Sequence, residues 1–260
     1  MSWLSEFKKE AKQVLRGLEH SLSDGLIEDP YMGCPVKVSS PPHGSSILLS
    51  CGEFLEPTSL PREHLQAAVA ILREEFSKHP VGVLRNSVGL ACLYDRMMIG
   101  DAGLSGTCDL SERTLYAACI TDEEGWEDSL RRTLHHEACH MILQQNRCHW
   151  AVEAWHQVNP PGFQYKNEGI TWRDAGRSLL AIDPQLNEMG LLNQYSSISA
   201  EEDFCCICHE IFAGTIGIWD ILEKHPRLLA KAKLAMTFFR HLHEDYSEAK
   251  IRGFVSHQIA

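Results

Sequence analysis

The hydrophobic patterning of the 260 residues predicts an α+β fold, a small mixed sheet followed by a mainly helical C-terminal half. Three observations carry that prediction. Between residues 89 and 121, short apolar runs are separated by turn residues, as in "GLACLYDRMMIG", "DAGLSGTCDLSE" and "RTLYAACIT". From Trp126 onward the apolar positions recur at helical spacing. Strands therefore come first and helices later, without the βαβ alternation of a parallel doubly wound sheet.

In chain order, residues 2–22 form an amphipathic helix candidate, with Trp3, Phe7, Val14, Leu18 and Leu22 near one face. That helix packs on its own domain or docks a partner. Residues 28–45 are rich in Pro, Gly and Ser and read as a linker or irregular arm, which divides the chain into an arm over 1–45 and a domain over 46–250. "SILLSC" (46–51) is a short strand. Pro61 opens a helix over 62–78 with Leu65, Val69, Leu72 and Phe76 on one side. Helices are then expected over 126–146, 200–222 and 225–245, with an irregular 147–171 and a less defined stretch to about 195.

Composition excludes some functions. The net charge is −11, with 35 acidic residues against 24 Lys and Arg, which argues against nucleic-acid binding by clustered positive charge. The most apolar piece, "IFAGTIGIWDIL" (211–222), is too short for a membrane span and contains Asp220. The first residues lack an apolar stretch with a small-residue cleavage site. Ten cysteines without an export signal read as reduced thiols, so the expectation is a cytoplasmic protein.

The chemistry concentrates in "RRTLHHEACHMILQQ" (131–145), where His136-Glu137-Ala138-Cys139-His140 matches H-E-x-x-H. Residues four apart stack on one helix face, so both imidazoles can approach one zinc ion. Glu137 sits one position round, placed to take the proton of a zinc-bound water as it attacks a carbonyl carbon. Leu130, Leu134, Ala138 and Met141 form an apolar stripe on the other side. His135 falls off the ligand face and is read as a neighbouring group.

A third ligand is needed. The metzincin continuation would place Gly and His where this chain has Leu143 and Asn146, which excludes it. Glu168 in "YKNEGITW" lies in a turn-like stretch. Ser199 can cap a helix that opens with Glu201, Glu202 and Asp203. A carboxylate in that first turn, with Glu202 favoured, completes a His₂Glu set with one open position, the pattern of a catalytic zinc.

The order H-E-x-x-H, then Trp155-x-x-x-Asn159-Pro160-x-Gly162-Phe163-x-Tyr165, then Tyr195 followed by Glu202-Asp203, resembles the bacterial zinc-binding metallopeptidases. These are gluzincin-like proteins related in pattern to lethal-factor-type catalytic domains. The resemblance spans about residues 89–215. It implies a zincin-like fold and a peptidase in which His136, His140 and Glu202 bind Zn2+ and Glu137 is the general base. It further implies that Tyr195 donates a hydrogen bond to the oxyanion, and that the "RTLYAACI" strand is the edge on which an extended peptide pairs. "WHQVNPPGFQY" would shape the loop beyond the active helix.

The chain departs from the family after Glu-Asp-x, where Cys205 and Cys206 stand in place of a small residue and an acid. Cys205, Cys206 and His209 share a helix face with Glu202, and either line the metal pocket or pack behind it. Packing is the expectation. "CCICH" also matches the C-x-x-C-H of haem attachment, but without an export signal that reading is set aside. Two further functions remain open, a zinc hydrolase of non-peptide amides and a non-catalytic, metal-stabilised interaction module.

Overall fold

A computed structural model describes residues 46–166 and 180–254 in full, with the backbone of residues 26–27 and 36–38. The helix expected over 2–22 and Glu168 lie outside the described residues.

The alternation of side chains along two central strands organises the sheet region. A five-stranded sheet has the order β1 (Leu26–Ile27), β2 (Val36–Val38), β5 (Leu90–Tyr94), β9 (Thr114–Ala118), β8 (Gly106–Asp109). β2, β5 and β9 run parallel, and β1 and β8 are antiparallel at its two ends. Ala91, Leu93, Leu115 and Ala117 face one side, and Cys92, Tyr94, Tyr116 and Ala118 face the other. Four antiparallel strands, β3 (Ile47–Leu48), β4 (Phe54–Pro57), β6 (Met97–Ile99) and β7 (Ala102–Leu104), make a second sheet. Its Leu55, Met97, Ile99 and Leu104, with Leu49 just after β3, cover the second face.

The first face packs on helices α1 (Arg62–Phe76), α2 (Val81–Ser87) and α3 (Trp126–Gln145). The predicted stripe is the contact: Leu130, Leu134, Ala138 and Met141 are all buried there. Cys139, Ile142 and Leu143, on the other side of α3, enter a second core. That core also holds α4 (Val152–Val158), α6 (Ala200–Ala213), α7 (Ile218–Lys224), α8 (Pro226–Leu242) and α9 (Glu248–Arg252), while α5 (Pro184–Met189) packs at its margin through Leu186. α3 is thus buried on both flanks, which fixes its azimuth and aims the remaining face.

A buried polar chain locks α3 to α1. Glu75 accepts from Arg131 and from His135 Nε2 (2.6 Å), His79 Nε2 meets His135 Nδ1 at 3.0 Å, and the Tyr246 hydroxyl meets His79 Nδ1 at 2.9 Å. All five side chains are at least 98 % buried. Burial pushes His135 and His79 down, so both rings are neutral and each passes one proton along the chain.

The observed fold is α+β, as the patterning predicts. Three expectations need correction. The Pro/Gly/Ser-rich arm contains a strand, Val36–Val38, paired in parallel with β5; a run this short has no periodicity of its own. The helix expected over 200–222 ends at Gly214 and restarts after Gly217, both with positive φ (71° and 78°) that favours glycine. The irregular 147–171 contains α4, a helix of seven residues ended by Asn159-Pro160.

Candidate metal centre

α3 and α6 lie against each other and supply the cluster. α6 starts at Ser199, whose Oγ accepts from Glu202 N–H at 3.0 Å, placing Glu202 at the third helical position. Glu201, Glu202 and Asp203 occupy the first turn, where carboxylates are favoured by the helix dipole.

The structure brings His136, His140 and Glu202 together. His136 Nε2 lies 3.1 Å from Glu202 Oε2, His140 Nε2 lies 3.2 Å from the same oxygen, and the two Nε2 atoms are 3.2 Å apart. One proton can lie along only one edge of this triangle, so hydrogen bonding does not account for all three contacts. A tetrahedral metal with bonds of roughly 2.0–2.1 Å sets its ligand atoms roughly 3.3–3.4 Å apart. The donor triangle fits that edge length, and the three groups can hold a metal ion.

The far nitrogens are also engaged. His140 Nδ1 meets Glu201 Oε1 at 3.3 Å, and Glu201 is itself paired with Arg147. His136 Nδ1 meets His209 Nδ1 at 3.1 Å. A proton held on each Nδ1 leaves the Nε2 lone pairs for a metal.

Charge in the site follows from burial and neighbours. Burial opposes charge on His140, yet Cys205, Glu202 and Glu201 raise it above its ordinary range. Burial likewise opposes charge on Glu202, but His140 and His136 hold its carboxyl well below the usual range. The carboxylates of Glu202 and Glu201, in contact with His140, give the site the negative charge that a cation meets. His136, by contrast, is pushed down to about 4, chiefly by burial.

Glu137 points with the cluster into a cleft of roughly 330 Å³, which Tyr195, Ser199, Gly106, Thr107 and Cys108 also line. Burial pushes the Glu137 carboxyl up to about 7; Glu202 adds to this, while His140 and the Cys108 thiol oppose it. The Cys108 thiol is itself raised by burial and by Glu137, which keeps it protonated and able to donate. Tyr195 opens a short 3₁₀ turn, Tyr195–Ser197, with its ring 5.8 Å from that of His136. Burial, Glu202 and Glu137 raise its phenol, which therefore stays a donor.

Every predicted site residue thus borders one cleft. His135 does not: its ring faces Glu75 and His79, away from the cluster, because one helical position turns it about 100° into the α1 contact. The strand expected as the sheet edge also moves. β9 is paired on both sides, by β5 and β8, and among the described residues β8 is the sheet end that borders the cleft.

The "WHQVNPPGFQY" motif and the acid after Glu202 meet in space. Asp203 Oδ2 accepts from Trp155 Nε1 (3.0 Å), the Tyr165 hydroxyl (2.7 Å) and Lys231 Nζ (2.6 Å), and Asn159 Nδ2 donates to the Tyr165 oxygen (3.1 Å). The motif therefore anchors the helix turn that carries Glu202.

Two features escaped the sequence reading, and a third resolves an alternative it left open. Gly106 lets β8 approach α3: a Cβ there would lie 2.5 Å from Thr133 Cγ2 and 2.8 Å from Glu137 Oε1. Glu201 backs His140, and His209 backs His136. The shared helix face of His209 and Glu202 pointed to the last, and of the two uses it left open for His209 the structure shows contact with the cluster. Cys205 and Cys208, the two cysteines of the haem-like motif, lie in the apolar core.

No family model matches this chain, and no curated protein or solved structure matches it significantly. Among the described residues, no helix is long and apolar enough to cross a membrane.

Proposed function

We propose that this chain is a zinc-dependent metallopeptidase of zincin-like fold. The observation that supports it most is the convergence of His136 Nε2, His140 Nε2 and Glu202 Oε2 in one triangle, with Glu137 beside it in an open cleft. When bound there, zinc supplies Lewis acidity and lowers the pKa of water toward neutrality. Glu137 takes a proton from the attacking water and returns it to the departing amine. The water oxygen bonds to the carbonyl carbon first, and the C=O π electrons move onto oxygen. When the carbonyl re-forms, the C–N bond breaks and its electron pair stays on the amine nitrogen, which takes the proton from Glu137. Tyr195 donates to the oxyanion at the attacked carbonyl.

An extended peptide fits this reading better than a small amide, because β8 ends its sheet beside the cleft and offers main-chain groups for strand addition. Buried thiols at Cys139, Cys205, Cys206 and Cys208 pack as reduced cysteine does and support a cytoplasmic setting.

The test pairs zinc stoichiometry with cleavage of a peptide library. Wild type should bind one zinc and cleave, His140→Ala and Glu202→Ala should lose zinc, and Glu137→Gln should keep zinc without cleaving. Full zinc in Glu202→Ala removes the third ligand. Zinc binding with hydrolysis of non-peptide amides alone, or of no substrate, favours one of the two other functions.

A further inference from the structure

We propose that His209 and Glu210 are positioning residues that hold the ligand His136 in the tautomer and orientation a metal requires; the inference rests on the zinc-site reading above. Both sit on α6, seven and eight residues beyond Glu202, and both are buried (4 % and 3 % exposed). Glu210 Oε1 lies 3.0 Å from His209 Nε2, and His209 Nδ1 lies 3.1 Å from His136 Nδ1.

Proton counting orders this chain. A carboxylate only accepts, so His209 Nε2 carries the proton of the first contact. With its ring proton on Nε2, toward Glu210, His209 presents a bare Nδ1 that accepts from His136 Nδ1–H. His136 Nε2 is left with its lone pair, aimed at the point it shares with His140 Nε2 and Glu202 Oε2.

The same helix thus supplies a ligand from its first turn and the support for another ligand from its third. His140 has a shorter version, with Glu201 taking the part of His209 and Glu210 together. A competing use of these atoms is a second metal held by His136, Cys206 and His209. That would take both nitrogens of His136 at once and strip the ring of its last proton. The hydrogen-bonded chain uses the same distances without that cost.

The test uses the full chain and zinc alone. Zinc affinity is measured by chelator competition, and ¹⁵N shifts of His136 report which ring nitrogen holds the proton. His209→Leu should weaken zinc roughly 10- to 100-fold and mix the His136 tautomers. His209→Gln, whose Oε1 can accept from His136 Nδ1–H, should recover most of both. Thermal unfolding checks that each variant folds; should His209→Leu fail, Glu210→Gln carries the test through the same ¹⁵N shifts. One zinc held as tightly by a folded His209→Leu as by wild type, with the tautomer unchanged, overturns the positioning role and leaves the zinc site standing. Two zincs in wild type, the second lost in Cys206→Ala, overturn it in favour of the second metal. No zinc in wild type removes both the proposed function and this inference.

Discussion

Gly106→Ala should disarm Glu137 without removing the metal ligands. The added Cβ would lie 2.5 Å from Thr133 Cγ2, 2.8 Å from Glu137 Oε1 and 2.9 Å from Glu137 Cγ. Ordinary carbon contacts are about 3.5–4.0 Å, so relief needs a shift of about 1 Å. Thr133 is β-branched and buried on α3, with few rotamers to use. The Thr133 contact is then relieved by β8 lifting from α3, and the Glu137 side chain, which ends in the cleft, is pushed aside from its place. A displacement of about 1 Å at a catalytic group costs on the order of 10²-fold in rate. Overpacking should also cost about 1–3 kcal/mol of stability. The assay is kcat/KM on a cleaved peptide, alongside zinc content and urea unfolding. Gly103→Ala is the control, because its Cβ would meet only Met98 Sδ at 3.7 Å. Gly106→Ala cleaving at the wild-type rate, in a series where Glu137→Gln is dead, would refute the reasoning. Equal losses in Gly103→Ala would refute it too.

Other outcomes follow from the buried polar groups. Burial works to raise Glu75, but His135 and Lys78 bring it from 4.5 down to about 2. A depressed carboxyl stabilises the fold above its unfolded pKa, so about 3 kcal/mol should be lost as pH falls from about 4.5 to about 2. Urea titrations across that window should show the slope in wild type and a flatter one in Glu75→Gln. Asp203→Ala should cost about 3–5 kcal/mol in urea unfolding, because it leaves Lys231 buried without its anion; a cost under about 1 kcal/mol would count against that pairing. Ser199→Ala should cost about 1 kcal/mol through the lost cap, read as a lower thermal midpoint, and should weaken zinc by loosening the turn that carries Glu202.

The sequence by itself determined the parts of this protein that are local. Spacing put His136 and His140 on one face of a helix, the 3.6-residue period set the opposing stripe of Leu130, Leu134, Ala138 and Met141, and Ser199 marked where the next helix begins. These depend on helix geometry and capping, which act within a few residues. Tertiary structure decided what depends on groups far apart in sequence. Only folding shows that β9 is interior and β8 is the edge, since a strand's neighbours are not written in its own alternation. Only folding turns His135 toward Glu75 on α1, brings Trp155 and Tyr165 to Asp203, and sets His209 against His136 across two helices. A polar side chain buried in this way is held by partners tens of residues distant, because an unpaired polar atom in the core costs too much to keep. The motif named the donors, and the packing of α6 on α3 decided that they meet.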